Sequence, residues 1–175
     1  QHVQGLPGAA STCWWLVDRS EHFQIELFQF EAPLARLMPP DFRPCDIGYS
    51  RVGFWVQDFD RTLARLAALG TPPRTAAVGK AGERRVCVRN PEGVFIEVME
   101  DDPLRGHTHD ARPDCKVAAR SVTLSVADLE KSKRYFMGAL GMPESMAVLR
   151  RPEHEALWGL DGARTRSVVL DAGNV

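Results

Sequence analysis

Residues 48–70, GYSRVGFWVQDFDRTLARLAALG, and residues 118–141, AARSVTLSVADLEKSKRYFMGALG, state one pattern twice. Val52, Val56, Asp58, Phe59 and Asp60 fall on Val122, Val126, Asp128, Leu129 and Glu130 at an offset of 70; Leu69-Gly70 falls on Leu140-Gly141 at 71. A repeat of this length constrains the chain strongly, because each copy must be a supersecondary unit that buries its apolar face against another. In both copies alternating apolar residues (Val52, Phe54, Val56; Val122, Leu124, Val126) predict a half-buried strand. Asp58 and Asp128 come next as helix caps, and Leu63, Leu66 and Leu69, or Tyr135, Phe136, Ala139 and Leu140, supply an apolar face at helical spacing. Gly70 and Gly141 then end the helices.

The segment after each helix repeats as well. Residues 83–99, ERRVCVRNPEGVFIEVM, alternate, break at Asn90-Pro91-Glu92-Gly93 and resume, which predicts a β-hairpin. Residues 14–30, WWLVDRSEHFQIELFQF, share the same scheme with a turn near Asp18 to Glu21, and Glu26 aligns with Glu97 at an offset of 71. Residues 164–175 read as a third hairpin, Leu170 matching Val88 and Gly173 matching Gly93. The expected unit is strand, helix and three strands. A first paired-module domain spans 1–102, made of a partial module 1–45 and a complete module 46–102. Residues 103–115 form a polar linker, and 116–175 form a third module without its last strand. Units cut at both ends suggest a segment of a longer, four-module protein.

Charge narrows the function classes. Lys+Arg 22 against Asp+Glu 23 gives a net charge of -1, which argues against a nucleic-acid footprint. No apolar stretch is long enough to span a bilayer, and no signal peptide is visible. Cys13, Cys45, Cys87 and Cys115 show no CxxC spacing, so a zinc ribbon is not written here and a reduced, cytoplasmic protein is expected. Cys87 sits in a strand pattern as a small buried hydrophobe. No GxSxG, GxGxxG or phosphate loop occurs.

VGFWVQDFD and VTLSVADLE, with the hairpin RNPEGVFIEVME and the segment QIEL, resemble the vicinal oxygen chelate superfamily of glyoxalases, bleomycin-resistance proteins and extradiol dioxygenases. The resemblance covers nearly the whole chain. It implies an α+β fold of tandem βαβββ modules paired into curved, open, barrel-like mixed sheets. The concavity would hold a small molecule, with or without a divalent metal (Fe, Mn, Ni or Zn). Metal-bearing members place a His or Gln on the first strand of each module and a Glu on the last. The resemblance therefore makes Glu26 and Glu97 the metal-ligand and catalytic candidates.

Each glutamate lies between apolar neighbours, which is equally the pattern of a solvent-facing strand residue. The first-strand positions carry Arg51 and Ser121. Arginine has no lone pair for a metal and serine is a poor ligand. If Arg51 points into the cup it can instead pair with Glu26 or Glu97 or clamp a substrate carboxylate; otherwise it is an ordinary strand arginine paired with a neighbouring glutamate at the rim. Trp55 and Ser121 complete the substrate-binding candidates, as residues of the cup. His107 and His109 are expected in a solvated linker, and His22 and His154 at the surface. Two functions stay in view. One is a metal-dependent lyase, isomerase or dioxygenase. The other is a metal-free small-molecule binder or a degenerate scaffold within a four-module protein. Incomplete modules expose strand edges, so a homo-oligomer is a further expectation.

Overall fold

The computed structural model describes residues 5–20, 23–106, 111–149, 151–160 and 162–172, except for the side chain of Pro152. His2, His22, His107, His109 and the end of the third expected hairpin lie outside them. The chain is α+β. Two strands, β1 (Ala10–Val17) and β2 (Gln24–Ala32), form an antiparallel ribbon of their own. Four more, β3 (Gly48–Val56), β4 (Arg85–Arg89), β5 (Phe95–Met99) and β6 (Val117–Ser125), form a mixed sheet in the order β4-β5-β3-β6. Among the described residues the strands close no barrel.

The first strand, the helix and the hairpin expected within residues 46–102 form where the sequence places them. Asp58 Oδ1 accepts from the Arg61 amide at 3.1 Å and starts α1 (Phe59–Ala68). Gly70, at φ +79, accepts the left-handed turn that ends it. The hairpin turn is fixed by Asn90, whose side chain accepts from the Val94 amide at 2.7 Å, and by Gly93 at φ +96. That turn sets the register of β4 against β5, with Cys87 opposite Glu97 and Arg85 opposite Met99. β5 then lies parallel to β3, with Val52 opposite Ile96 and Gly53 opposite Glu97. The third strand expected of the unit is reduced to one bridge, Val78 to Arg85.

Period-two alternation divides the sheet into two faces. Val56, Val86, Val88 and Val98 are buried on one, where Phe59, Leu63 and Leu66 of α1 pack on them. Each such aliphatic side chain removed from water stabilises the fold by about 1.5–3 kcal/mol. The opposite face carries Arg51, Arg85, Cys87, Phe95, Glu97 and Met99, all buried. Its cover is a short 3-10 segment, Pro152–Trp158, which sets Leu157 and Trp158 against Cys87 and Phe95.

Residues 116–175 depart from expectation in two places. Asp128 caps its helix as predicted, accepting from the Lys131 amide at 2.9 Å. The helix α2 (Leu129–Lys133) then widens into a π-helical stretch, Arg134–Ala139, and Tyr135 and Leu140 stay exposed. The hairpin expected over 164–175 does not form among its described residues; only Leu170 bridges, to Glu144. A strand needs a neighbour to take its backbone donors and acceptors, and this segment has just one bridging residue beside it. β6 pairs antiparallel with β3, the strand it matches in the sequence repeat, with Val52 opposite Val122. No helix among the described residues is long and apolar enough to cross a membrane.

Candidate functional site

Glu97 lies at the middle of the covered face. Its Oε2 accepts from Arg51 Nε at 3.1 Å, and its Oε1 accepts from Arg85 Nη1 at 3.1 Å. All three side chains are at most 5% exposed. The strands dictate this arrangement. Gly53, not Arg51, is directly opposite Glu97, so Arg51 reaches along its own strand by one side-chain repeat. Arg85 reaches from β4 in the same way, because Cys87 is the residue opposite Glu97.

The surroundings hold the two guanidinium groups in place. Arg51 stacks over the Trp158 ring with 4.5 Å between Cζ and the ring centroid. Arg85 Nη1 also donates to the Leu149 carbonyl at 2.7 Å, and Nη2 lies 3.5 Å from Asp101 Oδ2. Two arginines and one glutamate leave an excess positive charge, which Asp101 offsets at longer range. Burial lowers the pKa of Arg51 from its ordinary value, against the opposing pull of Glu97. Burial, then the Glu97 charge, push the Cys87 thiol up to about 11, so Cys87 is a protonated, inert packing residue.

The other candidates fall elsewhere. Glu26 is exposed on β2, in the separate ribbon, and is not brought beside Glu97. Trp55 is half-buried, with the Arg19 guanidinium 5.4 Å from its ring centroid. Ser121 is half-buried against Gly53, where an added Cβ would stand 2.5 Å from the Ser121 hydroxyl oxygen. That close approach of β6 to β3 is why position 53 carries no side chain. Of the alternatives for Arg51, the structure has the inward one: it pairs with Glu97 in the interior and not at a rim.

Arg85 and His154 are participants that the sequence pattern did not single out. Arg85 was within reach, since the hairpin turn fixes it one side-chain repeat from Glu97's partner. His154 corrects a surface expectation: it is 3% exposed. It turns inward because it occupies the 3-10 turn that brings Leu157 down onto Cys87, a long-range packing that the polar segment RRPEHE does not announce.

His154 Nδ1 accepts from the Arg151 amide at 3.2 Å, which requires a neutral ring nitrogen there. Desolvation, then the Arg85 charge, lower its pKa from 6.5; Glu97 and Glu153 oppose this, and Arg151 adds to it. The unfolded chain therefore binds the proton more readily than the folded one. Its contribution to stability is complete above 6.5 and declines as the pH falls through and below that value. Unfolding free energy measured in urea from about pH 7.5 to about pH 5 should fall on acidification. His154→Asn, which keeps an acceptor near Nδ1 and cannot charge, should flatten that decline; an unchanged slope would separate the acid sensitivity from His154.

The cluster does not suit a divalent metal. A metal at Glu97 would have to displace both guanidinium donors, and the first-strand residue beside it, Arg51, offers no lone pair. Among the described residues no three of His, Cys, Asp or Glu are grouped so as to hold an ion. The chain matches no protein-family model, no curated protein and no solved structure.

Proposed function

We propose that the chain is built of vicinal-oxygen-chelate-type modules and that the sheet of residues 46–102 serves as a metal-free scaffold. One observation carries this reading: both oxygens of Glu97 accept hydrogen bonds from buried arginines, Arg51 and Arg85, the first of them stacked on Trp158. Where a chelating module would offer a carboxylate to an ion, this one uses it to hold Arg51 and Arg85 inside the fold. The Pro152–Trp158 turn occupies the space above, so a small molecule would have to displace it. The metal-dependent lyase, isomerase or dioxygenase reading retains only the alignment of Glu26 with Glu97, which the separate ribbon does not exploit.

Metal content of protein purified without chelator or added metal tests this directly, with a subsequent titration with Mn, Fe, Ni and Zn. Substoichiometric metal, unchanged in Glu97→Gln and Glu26→Gln, is expected. Near-stoichiometric metal that either substitution abolishes would replace the scaffold with a chelate centre.

A further inference from the structure

The β1–β2 ribbon and the outer edge of β6 are both unfinished, and they are unfinished in complementary ways. In the complete module, the second strand of the hairpin (β5) lies parallel to the first strand of the unit (β3). The repeat places β2 in the position of β5 and β6 in the position of β3. Among the described residues β2 pairs with β1 alone, and β6 is the edge of its sheet. Each therefore lacks the kind of neighbour that the other provides.

We infer that the β1–β2 hairpin closes onto the outer edge of β6 in its own chain, with β2 parallel to β6 and Glu26 beside Thr123. The repeat fixes that register. Gly53 opposite Glu97 becomes Thr123 opposite Glu26, and Arg51 opposite Phe95 becomes Ser121 opposite Gln24, after shifts of 70 and 71.

Contacts at both ends of β6 agree with its polarity. Extended back by four residues, the pairing of Ser121 with Gln24 brings Val117 to Ser20. The Arg19 amide already donates to the Val117 carbonyl at 3.1 Å, and Arg120 Nη1 donates to the Ser20 hydroxyl at 3.1 Å. The Ala119 amide donates to the Asp18 carboxylate. At the far end the chain beyond β2 is tied to the same edge of the fold. Ser125 Oγ donates to the Pro44 carbonyl at 2.9 Å. The turn of the hairpin is thus tied near the start of β6, and the chain that follows β2 reaches its finish, the polarity that parallel pairing requires. Both strands have 9 residues.

The exposed apolar residues match as well. Ile25 and Leu27 correspond to Ile96 and Val98, on the face that α1 covers in the complete module. Their β1 partners are Leu16 and Trp14. In the open ribbon Trp14, Leu16 and Leu27 are 53%, 50% and 48% exposed; on the receiving side Val122, Tyr135 and Leu140 are 50%, 59% and 57% exposed. Closure would bring these two sets under α2 and remove from water side chains that soluble proteins rarely leave contiguous and bare. The product is a six-stranded sheet, β4-β5-β3-β6-β2-β1, with a pseudo-twofold between β3 and β6.

The test is a cysteine pair, Glu26→Cys with Thr123→Cys, in the full chain with Cys13, Cys45 and Cys115 replaced by Ser. Neighbouring strands stand about 4.8 Å apart, within the Cα range of about 4.4–6.8 Å that a disulfide spans. Mild oxidation should give an intrachain disulfide, seen as a faster monomer band and a mass lower by two hydrogens. The control Ile25→Cys with Thr123→Cys, on opposite faces, should not close. A disulfide-linked dimer would overturn the proposal in favour of a second copy as the occupant. Failure of both pairs to close would overturn it altogether. Hydrogen exchange on the unaltered chain guards against a misfolded variant. Closure protects amides on both edges of β2, whereas an open ribbon leaves alternate ones exchanging freely.

Discussion

Glu97→Gln is expected to lower the unfolding free energy by about 3–5 kcal/mol, the usual cost of removing one partner from a buried charge pair. The substitution keeps the shape and removes the charge, so Arg51 and Arg85 would remain in the interior with no carboxylate between them. Domains of this size are stable by about 5–15 kcal/mol, so the loss would be a large share of the total. In urea the midpoint should fall by more than about 1 M, given slopes of about 1–3 kcal/mol per M. A change within about 0.5 kcal/mol would mean that the arginines find other partners and that the cluster does not organise the face. A companion variant separates a structural cluster from a functional one. Replacing Arg51 and Arg85 by Met and Glu97 by Leu together should be near neutral or stabilising, because the cost of desolvating three charges disappears with them. That variant would be a more stable scaffold, and any binding function that depends on the charges would be lost from it.

Local features of this fold were legible in the sequence because they are written in consecutive residues. The alternation in RVGFWV and SVTLSV, the caps Asp58 and Asp128, and the Asn90–Gly93 turn each need only their own neighbours. The pairing of β6 with β3 was not legible, since period-two patterning identifies a strand without identifying its neighbour. The same limit hid the cover over Glu97. Residues 152–158 bring Leu157 and Trp158 across a long stretch of chain onto β4 and β5, and nothing in RPEHEALW specifies that target. At the site, the sequence identified Arg51 and Glu97 as members of one strand system and offered their pairing. It could not decide between rim and interior, because Arg and Glu on a strand look alike in both. Arg85 could have been added from hairpin register alone. His154 could not, because its burial depends on the long-range packing of Leu157.

The second large effect concerns that cover. Leu157 is fully buried against Cys87, Phe95 and Trp158, and its carbonyl accepts from Thr75 Oγ1 at 3.4 Å. Leu157→Ala should cost about 2–5 kcal/mol, the sum of lost transfer energy and the cavity left behind. Cys87 reports on the same event without reference to global unfolding. Its thiol is inert for two reasons, complete burial and a pKa pushed up to about 11, and both disappear when the 3-10 turn lifts away. A loss of about 2 kcal/mol from the covered state raises the open population by about 30-fold, so labelling of Cys87 by a thiol reagent should quicken by at least that factor. Cys13, Cys45 and Cys115 would label quickly in either protein and serve as the internal reference. Because Leu157 lies in the Pro152–Trp158 turn and Cys87 in β4, far apart in the chain, the outcome also measures the coupling of these two segments. Faster labelling with a single, shifted urea transition means that the sheet and its cover unfold as one cooperative unit. Faster labelling with an unshifted transition would make the Pro152–Trp158 turn a local flap, opening over a sheet that stands without it. Unchanged labelling and unchanged stability would contradict the packing of Leu157 itself.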